Sequence, residues 1–136
     1  MSGTQELTID IPPDEWLTAN GRYHWRVKAK RTAALRHRAH MLARQANLTP
    51  RRRVFVTAYV SGRVSNRLDP ANVQPTLKAL IDGLVTDYGL LPDDDDDHLI
   101  GPLAMRGPKR DLPAGWHAIR LIITDQTIPW MEGDAA

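Results

Sequence analysis

The chain has 136 residues, of which 42% are hydrophobic and 25% charged, with a formal net charge of +2 and no cysteine. This balance fits one globular domain over residues 1–136, and the lack of cysteine excludes disulfides and thiolate metal sites. No apolar run approaches the ~18 residues of a membrane span, and the N-terminus lacks the layout of a signal peptide. We therefore expect a cytoplasmic protein.

The N-terminal half predicts one strand and one helix. Residues 6–11 alternate between apolar and polar side chains and are stopped by two prolines, which is typical of a strand. Residues 26–46 contain neither proline nor glycine and predict an amphipathic helix. Its apolar positions recur at helical spacing: Leu35, Ala39, Leu42 and Ala46.

The C-terminal half predicts a strand, a helix and two further strands. Residues 54–60 are β-branched and aromatic, and residues 62–67 extend this strand with a bulge. Asn72 predicts the N-cap of a helix that carries Pro75 in its first turn and reaches about residue 85.

The last two strands are predicted to begin at residue 98, interrupted by Gly101-Pro102, and to span residues 117–124. Residues 106–115 connect them as a turn or a flap. The order β-α-β-α-β-β predicts an α+β fold, a mixed sheet of about four strands with two main helices on one face. The core is expected over about residues 6–124, with a loose tail at 125–136.

The two halves of the chain carry opposite charge. Residues 1–53 contain 11 Lys/Arg against 4 Asp/Glu, whereas residues 54–136 contain 7 against 12. Basic residues suit nucleic-acid phosphates, and carboxylates suit a cation. A solvated helix and a solvated loop would give the same asymmetry, so charge alone leaves both interpretations open.

Acidic residues cluster around the second predicted helix. Asp69 precedes this helix, Lys78 and Asp82 share one of its faces, and residues 93–97 are five consecutive aspartates. Converging carboxylates repel each other unless a cation lies between them, and oxygen ligands suit Mg²⁺. The pattern predicts a Mg²⁺ site open to a phosphate, with Lys78 offsetting charge on the transition-state oxygens. Taken singly, the aspartate run is more often a solvated loop, the Lys78/Asp82 spacing is more often a surface ion pair, and Asp69-Pro70 is only a turn signal.

Tryptophan residues add a second possible contact with nucleic acid. Trp16, Trp25 and Trp116 could stack on exposed bases, although tryptophan more often lies in a core or a subunit interface.

The order of these motifs resembles the RusA family of Holliday junction resolvases. The similarity rests on Asp69-x-x-Asn72, on Lys78-x3-Asp82-Gly83-Leu84, and on an acidic loop before an aliphatic strand. The opening strand at residues 7–13, followed by a segment from asparagine to arginine at residues 20–26, is also similar to that family. The resemblance covers about residues 6–124.

The resemblance implies a homodimeric, Mg²⁺-dependent endonuclease, with Mn²⁺ as an alternative ion, that cleaves four-way DNA junctions in a bacterial or phage-infected cytoplasm. It implies the catalytic residues Asp69, Lys78 and Asp82 and the metal ligands Asp69, Asp82, Asp94, Asp95 and Asp96. The candidate DNA-binding residues, which include the basic residues that flank the acidic loop, are Arg22, Arg26, Arg67, Asn72, Arg106, Lys109 and Arg110.

Two departures from that pattern keep other functions open. Ala71 stands where the family often has a second aspartate, and the spacing from Asn72 to Lys78 is longer. A chain that lost metal competence would be a non-catalytic branched-DNA-binding protein. A Ca²⁺-binding module is a further alternative, although the loop lacks the spaced ligands of an EF-hand.

Overall fold

A computed structural model describes residues 3–64 and 67–126 of the chain. It contains strands β1 (Thr4–Ile11), β2 (Val54–Ser61), β3 (Leu99–Arg106) and β4 (His117–Asp125), and helices α1 (Trp25–Ala46) and α2 (Gln74–Asp82). A 3₁₀ turn, Pro70–Val73, precedes α2, and a π-helical turn, Gly83–Tyr88, continues it. The predicted α+β fold, with four strands and two main helices in the order β-α-β-α-β-β, is confirmed.

The strands form one mixed sheet in the order β1-β4-β2-β3. β4 lies between β1 and β2 and is antiparallel to both, whereas β2 and β3 are parallel. A parallel pair requires a crossover connection, and the segment that contains α2 supplies it. β3 is therefore an edge strand reached from the acidic loop.

Both helices pack on the same face of the sheet. Side chains alternate between buried and accessible along β1 and β2, as a half-buried sheet requires. The buried strand residues form one cluster with Leu35, Ala39 and Ala43 of α1 and with the buried residues of α2. Ala43 replaces the predicted Ala46 in this stripe, because Ala46 ends the helix and is exposed. None of the described helices combines the length and apolar character needed to cross a membrane.

The start of the second helical segment differs from the prediction. Asp69, and not Asn72, caps it, because the Asp69 Oδ1 atom accepts a hydrogen bond from the Ala71 N–H at 3.1 Å. Pro70 then occupies the first helical position, where its missing N–H costs nothing. Asn72 lies inside the resulting 3₁₀ turn, and Pro75 lies near the start of α2.

The end of this segment lies beyond the predicted residue 85. A π-helical turn carries the chain from Gly83 to Tyr88, and Gly89 stops it with a positive φ of 90°. A Cβ atom on Gly83 would overlap the carbonyl oxygen of Arg36, so glycine permits the close approach to α1.

One prediction about a strand end is wrong. β2 ends at Ser61 and does not extend through Gly62. Beyond this point the Gly62 carbonyl accepts a hydrogen bond from the Arg110 N–H, which belongs to the connection after β3 and not to a neighbouring strand. The predicted interruption at Gly101-Pro102 is found in the pairing with β2, where these two residues have no partners and the register shifts, although β3 continues beyond them to Arg106. Residues 65–66 of the predicted extension, and residues 127–136 of the predicted tail, lie outside the described residues.

Candidate nucleic-acid and metal site

Lys78 joins α2 to the acidic loop. Its Nζ atom donates to Asp82 Oδ1, one helical turn away, and to Asp94 Oδ2, both at 3.1 Å. Three of the residues predicted from the sequence therefore lie together, because α2 and the loop fold onto each other. We call Lys78, Asp82 and Asp94 the lysine–aspartate cluster.

Lys78 and Asp94 of the lysine–aspartate cluster stabilise each other's charged forms. Hydrogen bonds to Asp94 and then to Asp82 raise the pKa of Lys78, and the hydrogen bond from Lys78 lowers the pKa of Asp94. The Lys78 side chain is 67% exposed, so solvent screens these interactions. The ammonium group occupies the point between the two carboxylates where the sequence analysis expected a cation.

The next three aspartates of the loop form a second acidic group. Asp95, Asp96 and Asp97 each offer a carboxylate oxygen, and these oxygens lie within 4.8 Å of one another. All three residues are exposed, and exposed carboxylates often lie this close without an ion. Within the described ranges, this is the only group of three or more acidic or histidine residues with such spacing. It includes the predicted ligands Asp95 and Asp96 and adds Asp97.

Asp69 is not part of either acidic group in the described part of the chain. It precedes the 3₁₀ turn, whereas Asp82 ends α2, and a nine-residue α-helix is already ~12 Å long. The structure therefore separates the first predicted metal ligand from the second along the helical segment. Asp69 instead lines a cleft.

This cleft has a volume of about 380 Å³ and lies between the 3₁₀ turn, the end of β2 and the start of β4. It gathers four predicted site residues, Arg67, Asp69, Asn72 and Arg106, together with side chains that the sequence analysis did not assign to a site: Ser61, Arg63 and His117. Trp16 and Trp116, predicted as possible base contacts, also line it. We call it the arginine–tryptophan cleft.

Hydrogen bonds from the helical segment fix one wall of the cleft. The Asn72 Oδ1 atom accepts a hydrogen bond from the Asn20 N–H at 3.0 Å. The backbone carbonyl of Asn72 accepts another from the Ala19 N–H at 2.9 Å. Thr76 Oγ1 accepts from the Leu17 N–H and donates to the Leu17 carbonyl, at 2.9 and 2.7 Å. The segment that carries Trp16 is thereby tied to α2.

Four of the predicted DNA-binding residues do not line the cleft. Arg22, Arg26 and Lys109 are exposed at other positions, and the Arg26 guanidinium lies 5.1 Å from the centre of the Trp25 ring. Arg110 pairs with Asp10 of β1 at 3.2 Å, beside a second groove that Arg106 also lines. Arg106 thus connects this groove to the arginine–tryptophan cleft.

No protein-family model matches this chain, and no curated protein is significantly similar to it. The features that bear on function are therefore the lysine–aspartate cluster, the loop carboxylates and the cleft.

Proposed function

We propose that this protein is a Mg²⁺-dependent, structure-selective endodeoxyribonuclease that resolves four-way DNA junctions in recombination and repair. The observation that carries the proposal is the meeting of Lys78, Asp82 and Asp94 beside further loop carboxylates. A cation and several carboxylates side by side on a basic chain suit a phosphodiester better than a neutral substrate.

The proposed roles follow from the chemistry of these side chains. Asp82, Asp94, Asp95 and Asp96 offer hard oxygen ligands, and Lys78 can stabilise charge on phosphate oxygens. A bound divalent ion would supply an activated water and Lewis-acid stabilisation of the phosphate. Asp69 lies at the cleft. We propose that it contributes to catalysis at the point where the DNA strand passes from the cleft toward the acidic loop.

The arginine–tryptophan cleft supports DNA as the substrate. Exposed Arg63, Arg67 and Arg106 line it, and arginine binds phosphate oxygens with a planar, bidentate fork. Phosphate contacts of this kind fix the orientation of a duplex or branch without reading its sequence.

Among the described residues, β3 pairs only with β2, and this open edge supports a homodimer. Its outward side chains Ile100, Leu103 and Met105 are 36%, 49% and 43% exposed, although they are large and apolar. An edge strand with exposed apolar side chains is a template for pairing with another chain. A two-fold dimer would place two identical sites on a junction, and Leu103→Glu is expected to convert it to monomers in sedimentation experiments.

The proposal is tested by measuring binding and cleavage of a synthetic four-way junction separately. Asp69→Asn and Asp94→Asn are each expected to retain junction binding and to lose at least ten-fold in cleavage rate with Mg²⁺. Asp14→Asn, which makes the same change at an exposed carboxylate outside both acidic groups, is the matched control. Equal cleavage by all three variants would exclude these carboxylates from the chemistry.

A non-catalytic branched-DNA-binding protein is the second candidate. It is favoured by Ala71 at the position of an expected carboxylate, by the separate location of Asp69, and by the ammonium already between Asp82 and Asp94. Such a protein would bind junctions with steep salt dependence and yield no metal-dependent product.

A further inference from the structure

Two aromatic rings stack at the arginine–tryptophan cleft. The ring centres of Trp16 and His117 are 3.9 Å apart, and their planes differ by 10°. Arg31 of α1 donates to the Trp16 carbonyl at 2.8 Å, and Leu17 is held by Thr76. Both helices thus hold the segment that carries Trp16, and His117 is fixed as the first residue of β4. The two rings therefore form a rigid, pre-organised surface.

Burial favours the uncharged form of the imidazole in this stack. Burial lowers the pKa of His117, and its buried Nδ1 atom has no hydrogen-bond partner among the described residues. The Trp16–His117 pair is therefore an aromatic, electrically neutral surface, whereas Arg63, Arg67 and Arg106 give the same cleft a cationic lining.

A nucleotide carries the two chemical features that match this lining, a flat base and an anionic phosphate. Bases stack on aromatic side chains regardless of sequence, and arginine binds the adjoining phosphate. The cleft volume of about 380 Å³ lies at the small end of ligand pockets, which suits a single nucleotide.

We propose that the cleft accepts one unstacked nucleotide at the branch point of a DNA junction, with its base against the Trp16–His117 stack and its phosphate between Arg67 and Arg106. This inference rests on the proposed function, because it assumes that branched DNA is the substrate. A base at a branch point has lost part of its stacking, so moving it into the cleft costs less than extracting a base from a continuous duplex. The cleft thereby selects DNA structure rather than sequence.

The test is a double-mutant cycle between one indole and one base. Equilibrium binding is measured in EDTA with an intact four-way junction and with junctions that carry one abasic site at each branch-point position in turn. For wild type, we expect the abasic site at the accepted position to weaken binding about ten-fold. For Trp16→Ala, removal of the same base should have no further effect, because coupled partners are not additive.

Three controls isolate the contact. An abasic site in the middle of a junction arm should leave the affinity of wild type unchanged. Trp25→Ala removes an indole that is 69% exposed and outside the cleft, and it should keep the full ten-fold response to the branch-point abasic site. Trp16→Phe, which retains a ring, should also respond, and thermal unfolding verifies that each variant folds.

The outcomes separate this inference from the proposed function. Preference for the junction over duplex, without any response of wild type to branch-point abasic sites, would overturn the nucleotide subsite and leave junction binding intact. An equal response in wild type and Trp16→Ala would place the base elsewhere and also overturn it. Equal affinity for junction and duplex would overturn the proposed function and this inference together.

Discussion

Thr76 holds one wall of the cleft, and Thr76→Val tests how much this attachment stabilises the fold. The Thr76 side chain is fully buried, and its hydroxyl makes one hydrogen bond to each polar backbone group of Leu17, which is 1% exposed. Valine has nearly the same shape but has no hydroxyl. The substitution therefore leaves one buried N–H and one buried carbonyl without a partner.

The expected cost follows from those two groups. A buried polar group left without a partner costs about 1–3 kcal/mol, so two of them cost about 2–4 kcal/mol after partial relaxation of the loop. A loss of 3 kcal/mol in a chain of this size corresponds to a fall in Tm of about 10 °C. The free energy of unfolding from urea titration is the direct measurement.

A matched control and a partial restoration complete this test. Thr32→Val makes the same change where the hydroxyl donates to Lys28 on the exposed surface of α1, and it should cost less than ~0.5 kcal/mol. Thr76→Ser keeps the hydroxyl and should recover most of the stability. A loss below ~0.5 kcal/mol for Thr76→Val would refute the argument that this residue ties the loop to α2.

Three further predictions concern the helix contact, the lysine–aspartate cluster and the cleft histidine. Gly83→Ala should cost about 1–3 kcal/mol in urea unfolding, because the added Cβ overlaps the Arg36 carbonyl oxygen. Lys78→Met should change stability by less than ~1 kcal/mol but strengthen Mn²⁺ binding in calorimetric titration, because the ammonium no longer neutralises Asp94. His117→Phe should reduce the loss of stability on acidification from pH 7 to 5. Burial lowers the pKa of His117 below 6.5, its usual value in an unfolded chain. As the pH decreases through 6.5, the unfolded chain therefore binds more protons than the folded protein, and the free energy of unfolding decreases.

The first two of these predictions have matched controls. Gly62→Ala places a Cβ at ordinary contact distances of 3.7 Å and should be tolerated. Lys109→Met removes a lysine outside the lysine–aspartate cluster and should leave Mn²⁺ affinity unchanged. An unchanged loss of stability between pH 7 and 5 in His117→Phe would contradict the third prediction. Identical behaviour of a test variant and its control would contradict the corresponding argument.

The secondary structure was predictable where a pattern is long and local. The period-two alternation of β1, the apolar run of β2 and the proline-free length of α1 each encode their own element. The 3₁₀ and π-helical turns around α2 were not predictable, because they depend on contacts with distant residues. The Asn72 side chain accepts a hydrogen bond from the Asn20 N–H, and Gly83 lies against the Arg36 carbonyl oxygen of α1.

Some contacts of the candidate site could likewise be predicted from the sequence, and others could not. Lys78 and Asp82 are one helical turn apart, so their contact is encoded by spacing, and the acidic loop follows the same segment closely enough to reach them. The cleft instead joins residues far apart in the chain, such as Trp16 with His117. No local pattern marks Arg63 or His117 as partners of Asp69, and only the arrangement of the sheet brings them together.

Cleavage of a labelled four-way junction by the wild-type protein, with Mg²⁺ or with EDTA and with products mapped on all strands, decides whether the protein is a resolvase. We expect paired, symmetric nicks that require Mg²⁺ and that do not occur on linear duplex of matched sequence. Junction binding without product at any Mg²⁺ or Mn²⁺ concentration would contradict catalysis and leave a branched-DNA-binding protein.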